Sequence, residues 1–472
     1  MSNKLPSARS AVLAASVALA LSACASAPQF GASDVDFNGR VSVVDTPVVL
    51  AGKPVTLQGQ SFKPGQQVTL SYGGARLGDT VTVDKDGKFR SQFVLPAAAE
   101  SGRYSLVASA ANPAASLLVP LKISPAVPLS GADKFSVDAK PLVPGLYQVA
   151  YSAKSDRLFV TSSGREGSSL VKVNPQTLAI EGRATPPAAP APTPRPGAAP
   201  APANATPAPA PVFAVFGVGV DDANGNVWAT NTRQNTVAVY RQSDMSLVKQ
   251  YPLGAVPHAR DVVIDQKVGK AYSSATGNPF IVVFDAKTLG EPKRIALTSS
   301  VRGRDAKEFS PMSLALDEAG GRLFTVSMTT NEIAIIDTKT DTVTKTFVVD
   351  GAVTASGVAY DSKNDRILVA SQGSDNLVIV DAKTGKVVHD VPVGAGSLNV
   401  TYEPVRGLAY VSNRAAGTVT VVDANGKIVG NLSGGTLPQH LDVDGKGAVF
   451  AVNKSRGEND ESGDRIARIA SR

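Results

Sequence analysis

An all-β fold, assembled from one repeating four-stranded unit, follows from three observations on this 472-residue sequence. The phrases DRLFVTS (156–162), NVWATN (226–231), KAYSSA (270–275), GRLFTVS (321–327), DRILVAS (365–371), GLAYVSN (407–413) and AVFAVN (448–453) return at a nearly constant interval. Each is preceded by an apolar strand that ends in a turn, at Ser152, Asp221, Asp265, Asp317, Asp361, Glu403 and Asp444. Val, Thr, Ala and Gly are abundant, and no long stretch carries the helical apolar period. Four short strands at this spacing form a blade, and a lone blade cannot bury both of its faces. The sequence therefore predicts a seven-bladed β-propeller over residues 134–472, preceded by a smaller β-sandwich.

The first element in chain order is a leader, expected over residues 1–23. Lys4 and Arg9 supply a positive start, and the apolar run Ala11 to Leu21 is too short to span a bilayer. It ends in Leu21-Ser22-Ala23-Cys24, which resembles the lipobox of bacterial lipoproteins. That resemblance implies that Cys24, the sole cysteine, is lipidated and heads the mature chain. An ordinary secretory signal cleaved near Ala25 or Ala27 is the alternative. Either way the chain is expected in a bacterial cell envelope, without a disulfide, so buried area must supply its stability. Under the first reading the partner is a membrane, reached through the lipid anchor. Ala25 replaces the aspartate associated with inner-membrane retention, so the expected address is the outer membrane, facing the periplasm.

Residues 24–34 are small and polar and read as a tether. Residues 35–125 alternate apolar and polar side chains in PVTLQGQSF, QQVTLSYGG, DTVTVDKDGKFRSQFVL, RYSLVASA and SLLVPLKIS, with turns at Lys63-Pro64-Gly65 and Asp86-Gly87. Six or seven such strands fit an immunoglobulin-like sandwich. GQSFKPGQQVTL and DGKFRSQFVLP also resemble bacterial Ig-like surface domains, which implies a spacer.

The last six turns are 44, 52, 44, 42 and 41 residues apart. The first interval, 69, falls to 42 without the 27 residues Thr185–Pro211, a Pro/Ala-rich tract expected to be disordered. Third strands follow as TVAVY, FIVVFD, EIAIID, LVIVD and TVTVVD. The last unit has three strands, and KFSVDAKPLVPG (134–145) is expected to supply its fourth and close the ring. AYVSN, WATN and, loosely, KAYSSA resemble the repeat of the YncE-like, YVTN-repeat propellers. The resemblance implies a fold and says almost nothing of activity.

Loops between blades, and loops joining second to third strands, lie on one face. Three insertions, Thr185–Pro211, Thr298–Ser310 and Ser455–Asp464, map there, which marks that face as the working one. Counting back from each first-strand turn places Gln148, Gly217, Asp261, Ser313, Gly357, Asn399 and His440 around the channel mouth. Tyr147, Phe216, Arg260, Met312, Ser356, Leu398 and Gln439 lie one residue earlier, and His258 also reaches this face. Solvated strand starts around a wet channel would explain the polar ring. A ligand cup would use Arg260, Asp261, Asn399 and His440 to orient and Tyr147 and Phe216 to stack, with Gln148, His258 and Gln439 also at the mouth.

Composition narrows the function. The chain is 43% hydrophobic and 18% charged, so most of it should fold. Its net charge of +7 falls to +5 without Lys4 and Arg9, too mild to specify a nucleic acid or membrane partner. GxSxG, GxxxxGK[ST], HExxH and CxxCH are absent, and of the three histidines only His258 and His440 reach the working face, a weak metal case without a cysteine or a carboxylate at ligand spacing. DDANGN, DKDG and DANGK lack calcium-loop spacing and read as hairpin turns. No catalytic residue, metal or cofactor is assigned. The leading expectation is a non-enzymatic, monomeric binding or scaffolding lipoprotein for an envelope protein, glycan or small molecule. A lactonase-like hydrolase acting in the central cup is the alternative. Single-stranded nucleic-acid binding is a third, weakened by one Trp and 6% aromatic residues.

Overall fold

The computed structural model describes residues 36–164, 167–190, 211–304 and 306–472. Cys24, and with it the lipidation expectation, lies outside the described residues, as does 191–210 of the Pro/Ala-rich tract. Strands dominate, and contacts divide the chain into two units.

Among the described residues, the first unit comprises 36–42, Gln58–Ser91 and Leu106–Val119. Period-two burial runs through the Gln67–Tyr72 strand, where Val68 and Leu70 are buried. The Gln67–Tyr72 strand pairs with Ala75–Thr82 on one side and Gly102–Ala111 on the other. Phe62 anchors the core edge-on between Phe37 and Phe89, with ring centroids 5.1 and 5.0 Å away. In the DKDG stretch, the Asp84 carboxylate accepts the N–H groups of Asp86 and Lys88 at 2.9 and 2.8 Å. This is turn chemistry.

The second unit contains Pro120–Arg472 and seven antiparallel four-stranded sheets. Their innermost strands are Leu146–Ser152, Val218–Asp221, Ala259–Asp265, Pro311–Asp317, Ala355–Asp361, Ser397–Glu403 and Leu437–Val443. Each touches the next, and the seventh touches the first, so the sheets form a closed ring. Second and third strands are buried on both faces because a neighbouring sheet covers each one. Asn226–Asn231 is buried throughout. Fourth strands are mostly exposed, as in Leu247–Gln250. Apolar layers fill the gaps between sheets: Trp228, Val239 and Tyr251 of the second meet Val262 and Phe284 of the third. The seam between seventh and first is sealed by Phe450, Val452 and Ile466 against Val149, Leu158 and Val160.

The turns expected at the ends of the first strands carry a shared device. Asp265 accepts Lys267 and Val268 N–H at 3.1 and 3.2 Å, and Asp361 accepts Lys363 and Asn364 at 3.0 and 3.2 Å. In DDANGN and DANGK, Asp221 and Asp423 do likewise, so their carboxylates are occupied by the backbone. The seventh sheet takes its fourth strand from Phe135–Pro141, in register from Arg465↔Pro141 to Ser471↔Phe135.

Candidate functional site

Antiparallel order fixes which residues meet at the ring's centre. First strands begin, and second strands end, on the same side. Sheet-to-sheet hydrogen bonds there consume several polar groups. Gln148, buried, accepts the Val218 N–H at 2.9 Å. Thr232 and Thr276, each just after a second strand, donate to the carbonyls of Ala259 and Pro311 at 2.5 and 2.8 Å. Ser356 donates to Leu398 O at 2.9 Å. These side chains stitch the first sheet to the second, the second to the third, the third to the fourth and the fifth to the sixth. Gln148 is thus better explained by the fold than by a ligand.

The remaining central residues separate into two chambers, where the sequence had suggested one cup. The mouth chamber, about 340 Å³, is lined by Tyr147, His258, Arg260 and Gln439 together with Met312, Leu398, Met328 and Arg414. The inner chamber, about 350 Å³, holds Asp261, Asn399 and His440 with Ser313, Thr401 and Asp442. The division falls within single strands: Arg260 and Asp261 are adjacent, and so are Gln439 and His440, and each pair sits at a register shift, Ala259/Val262 and Pro438/His440, where regular alternation is interrupted. Phe216 lines neither chamber. It packs edge-on against Tyr147 with centroids 5.0 Å apart, and the Arg233 guanidinium lies 5.7 Å from its ring centre.

Electrostatics differ between the chambers. In the mouth, burial and the Arg260 charge hold the His258 imidazole below its ordinary value, leaving it neutral at pH 7. Its backbone is left-handed, φ 46°, and its N–H donates to Asn235 Oδ1 at 2.7 Å. Burial likewise lowers the nearby Lys454 ammonium; Asp464 opposes this, while Arg233 and Arg414 add to it. In the inner chamber, burial pushes His440 down to about 4, with Asp261 opposing and Arg260 assisting. Asp442, also by burial, is pushed up to about 6 although it accepts the Tyr151 N–H at 2.7 Å. Asp261 accepts Val262 and Leu314 N–H at 3.1 and 3.0 Å. His389 lies on the outer Val387–Pro392 strand, away from both chambers. Among the described residues, no three His, Cys, Asp or Glu side chains cluster to hold a metal.

Arg414, Met328, Thr232 and Thr276 escaped the sequence reading. All four directly follow a second strand, so a register position one beyond the repeat phrase would have found them. All three insertions expected on the working face join strand ends on the mouth side. Ala184 and Val218 flank the first, Ala296 and Pro311 the second, Lys454 and Arg465 the third.

No family model matches the chain. It is 24% identical over 269 residues to protein YncE of Salmonella typhi, itself uncharacterized, covering 54% of this chain and 74% of that one. Virginiamycin B lyase from Staphylococcus aureus superposes with TM-score 0.54 at 13% identity, over 71% of this chain and 99% of the lyase. The Cps50 β-propeller domain of Myceliophteria thermophila gives 0.50 at 10%, over 70% and 98%. Together with the closed ring of sheets, these likenesses show a β-propeller fold.

Proposed function

We propose that the protein is a lipid-anchored envelope binding module: a tether, an immunoglobulin-like spacer over residues 35–125, and a seven-bladed propeller over 134–472 that captures its ligand at the mouth. One observation carries this reading. The mouth is a concavity in which Tyr147, Met312, Met328 and Leu398 supply apolar area, while Arg260, Arg414, His258 and Gln439 converge, Arg260 making only a long sheet-to-sheet bond of 3.5 Å to Ser313. The inner-ring polar groups, by contrast, hold neighbouring sheets together. The test is capture of a ligand or partner from solubilised envelope by the full chain and by Leu398→Trp, which fills the mouth. Capture that persists in Leu398→Trp, with folding intact, rejects the mouth as the site.

A second reading, catalysis in the same chamber, is supported by His258, a neutral imidazole at the rim able to accept a proton. The likeness to virginiamycin B lyase makes quinupristin a reasonable first substrate beside simple lactones. Turnover that disappears in His258→Ala would favour it. Absence of turnover with every substrate leaves binding as the activity.

A further inference from the structure

Charge in the mouth is one-sided. Arg260 and Arg414 both line the chamber, and among the described residues no Asp or Glu does. Arg260 is only 8% exposed, and the bond found for its guanidinium is a long one, 3.5 Å to Ser313 Oγ. The Nε of Arg414 is buried without a hydrogen-bond partner. Among the described residues neither guanidinium forms an ion pair, although other arginines of the ring do: Arg322 binds Asp317 and Asp365 at 2.7 and 2.9 Å, and Arg157 binds Glu181. A buried guanidinium presents five donors and cannot shed its charge, so leaving it without an anion is costly. The carboxylate closest in sequence, Asp261, is turned into the other chamber and engaged by two backbone N–H groups. Outside the chamber lining, Lys454 feels both Arg233 and Arg414, with Asp464 as the opposing charge.

We propose, resting on the mouth as the binding site, that its ligand is a small anion with an apolar body. A carboxylate or phosphate monoester sits between Arg260 and Arg414, where the guanidinium fork matches two oxygens. Its hydrocarbon or aromatic part lies against Met312, Met328, Leu398 and Tyr147. A chamber of about 340 Å³ suits a ligand at the small end of the usual range. Thr232 and Thr276, committed to the fold, take no part.

Calorimetric titration of the full chain with 4-phenylbutyrate, phenyl phosphate and uncharged 4-phenylbutanamide tests this. At least one anion should bind, about tenfold or more tighter than the amide, and the better of the two identifies the headgroup. Arg260→Gln and Arg414→Gln should each weaken that anion by about tenfold or more, whereas Lys85→Gln, far off in the sequence on an exposed turn, should not. If Arg260→Gln fails to fold, the less buried Arg414→Gln and the charge-keeping Arg260→Lys carry the comparison. Equal binding of amide and anion, no binding of either anion at millimolar concentration, or unchanged binding in both Arg variants overturns the inference. Equal binding of amide and anion, both abolished by Leu398→Trp, would leave the mouth as the site while removing its preference for anions. Anion binding indifferent to Leu398→Trp would reject both.

Discussion

Glycine occupies two of the seven hub positions because neighbouring sheets approach too closely for a side chain. A Cβ on Gly217 would lie 2.3 Å from Arg260 O, and one on Gly357 2.7 Å from the Cα of Asn399. Both clashes are with backbone, which cannot swing aside as a flexible side chain would. Gly357→Ala should therefore destabilise the ring by about 1–3 kcal/mol, read as a lower denaturant midpoint. An unchanged midpoint would mean that the hub has slack. Counting back from the turns located these hub residues in the sequence, because Asp and Glu at strand ends mark the register. It could not divide them between chambers, since Arg260 and Asp261 lie at a register shift between Ala259 and Val262 that leaves no mark in the repeat. Nor could it reveal that Gln148 is occupied, because its partner, the Val218 N–H, lies 70 residues away on another sheet.

The Leu437–Val443 strand carries His440 and Asp442 two residues apart, on one face of the inner chamber, with opposite responses to pH. His440, at about 4 against an ordinary 6.5, binds fewer protons folded than unfolded, so its contribution to stability grows as pH rises through that window. Asp442, at about 6 against 3.8, binds more protons folded, and its contribution is lost as pH rises toward and past 6. The two slopes oppose each other between about pH 4 and 6. His440→Gln should leave a protein that loses stability as pH rises from 4.5 to 6. Asp442→Asn should leave one that gains it. Urea midpoints at three pH values decide, and equal slopes in both variants and the parent would contradict the assignment. A second element, the Phe135–Pro141 strand, is held by Phe135, buried and edge-on to Tyr410 at 6.2 Å. Phe135→Ala should cost about 3–5 kcal/mol of unfolding free energy. The closing strand was legible because its alternation matched other fourth strands. The packing that retains it was not, since Tyr410 belongs to the sixth sheet.

Across the whole molecule, the ring tolerates insertion where its backbone is already pinned. The two ends of the Pro/Ala-rich tract pair with each other: Ala188 bridges Val212, Ala189 N–H donates to Pro211 O at 2.7 Å and Phe213 N–H to Pro187 O at 3.0 Å. Joining the chain across residues 191–210 should shift the melting temperature by no more than about 2 °C, because only loop-closure entropy changes. A fall well beyond that would assign the tract a packing role.

The seam that closes the ring also sets a timetable. The Arg465 guanidinium reaches Ala139 O across 326 residues, and the strand beginning at Phe135 has no partner until Arg465–Ser471 has been made. At the usual pace of translation that delay is on the order of tens of seconds. Throughout it, one edge of an early strand stays open to any passing chain. Until then its backbone N–H and C=O groups are those of an unpaired edge, and the docking of Arg465–Ser471 is the step that closes the ring.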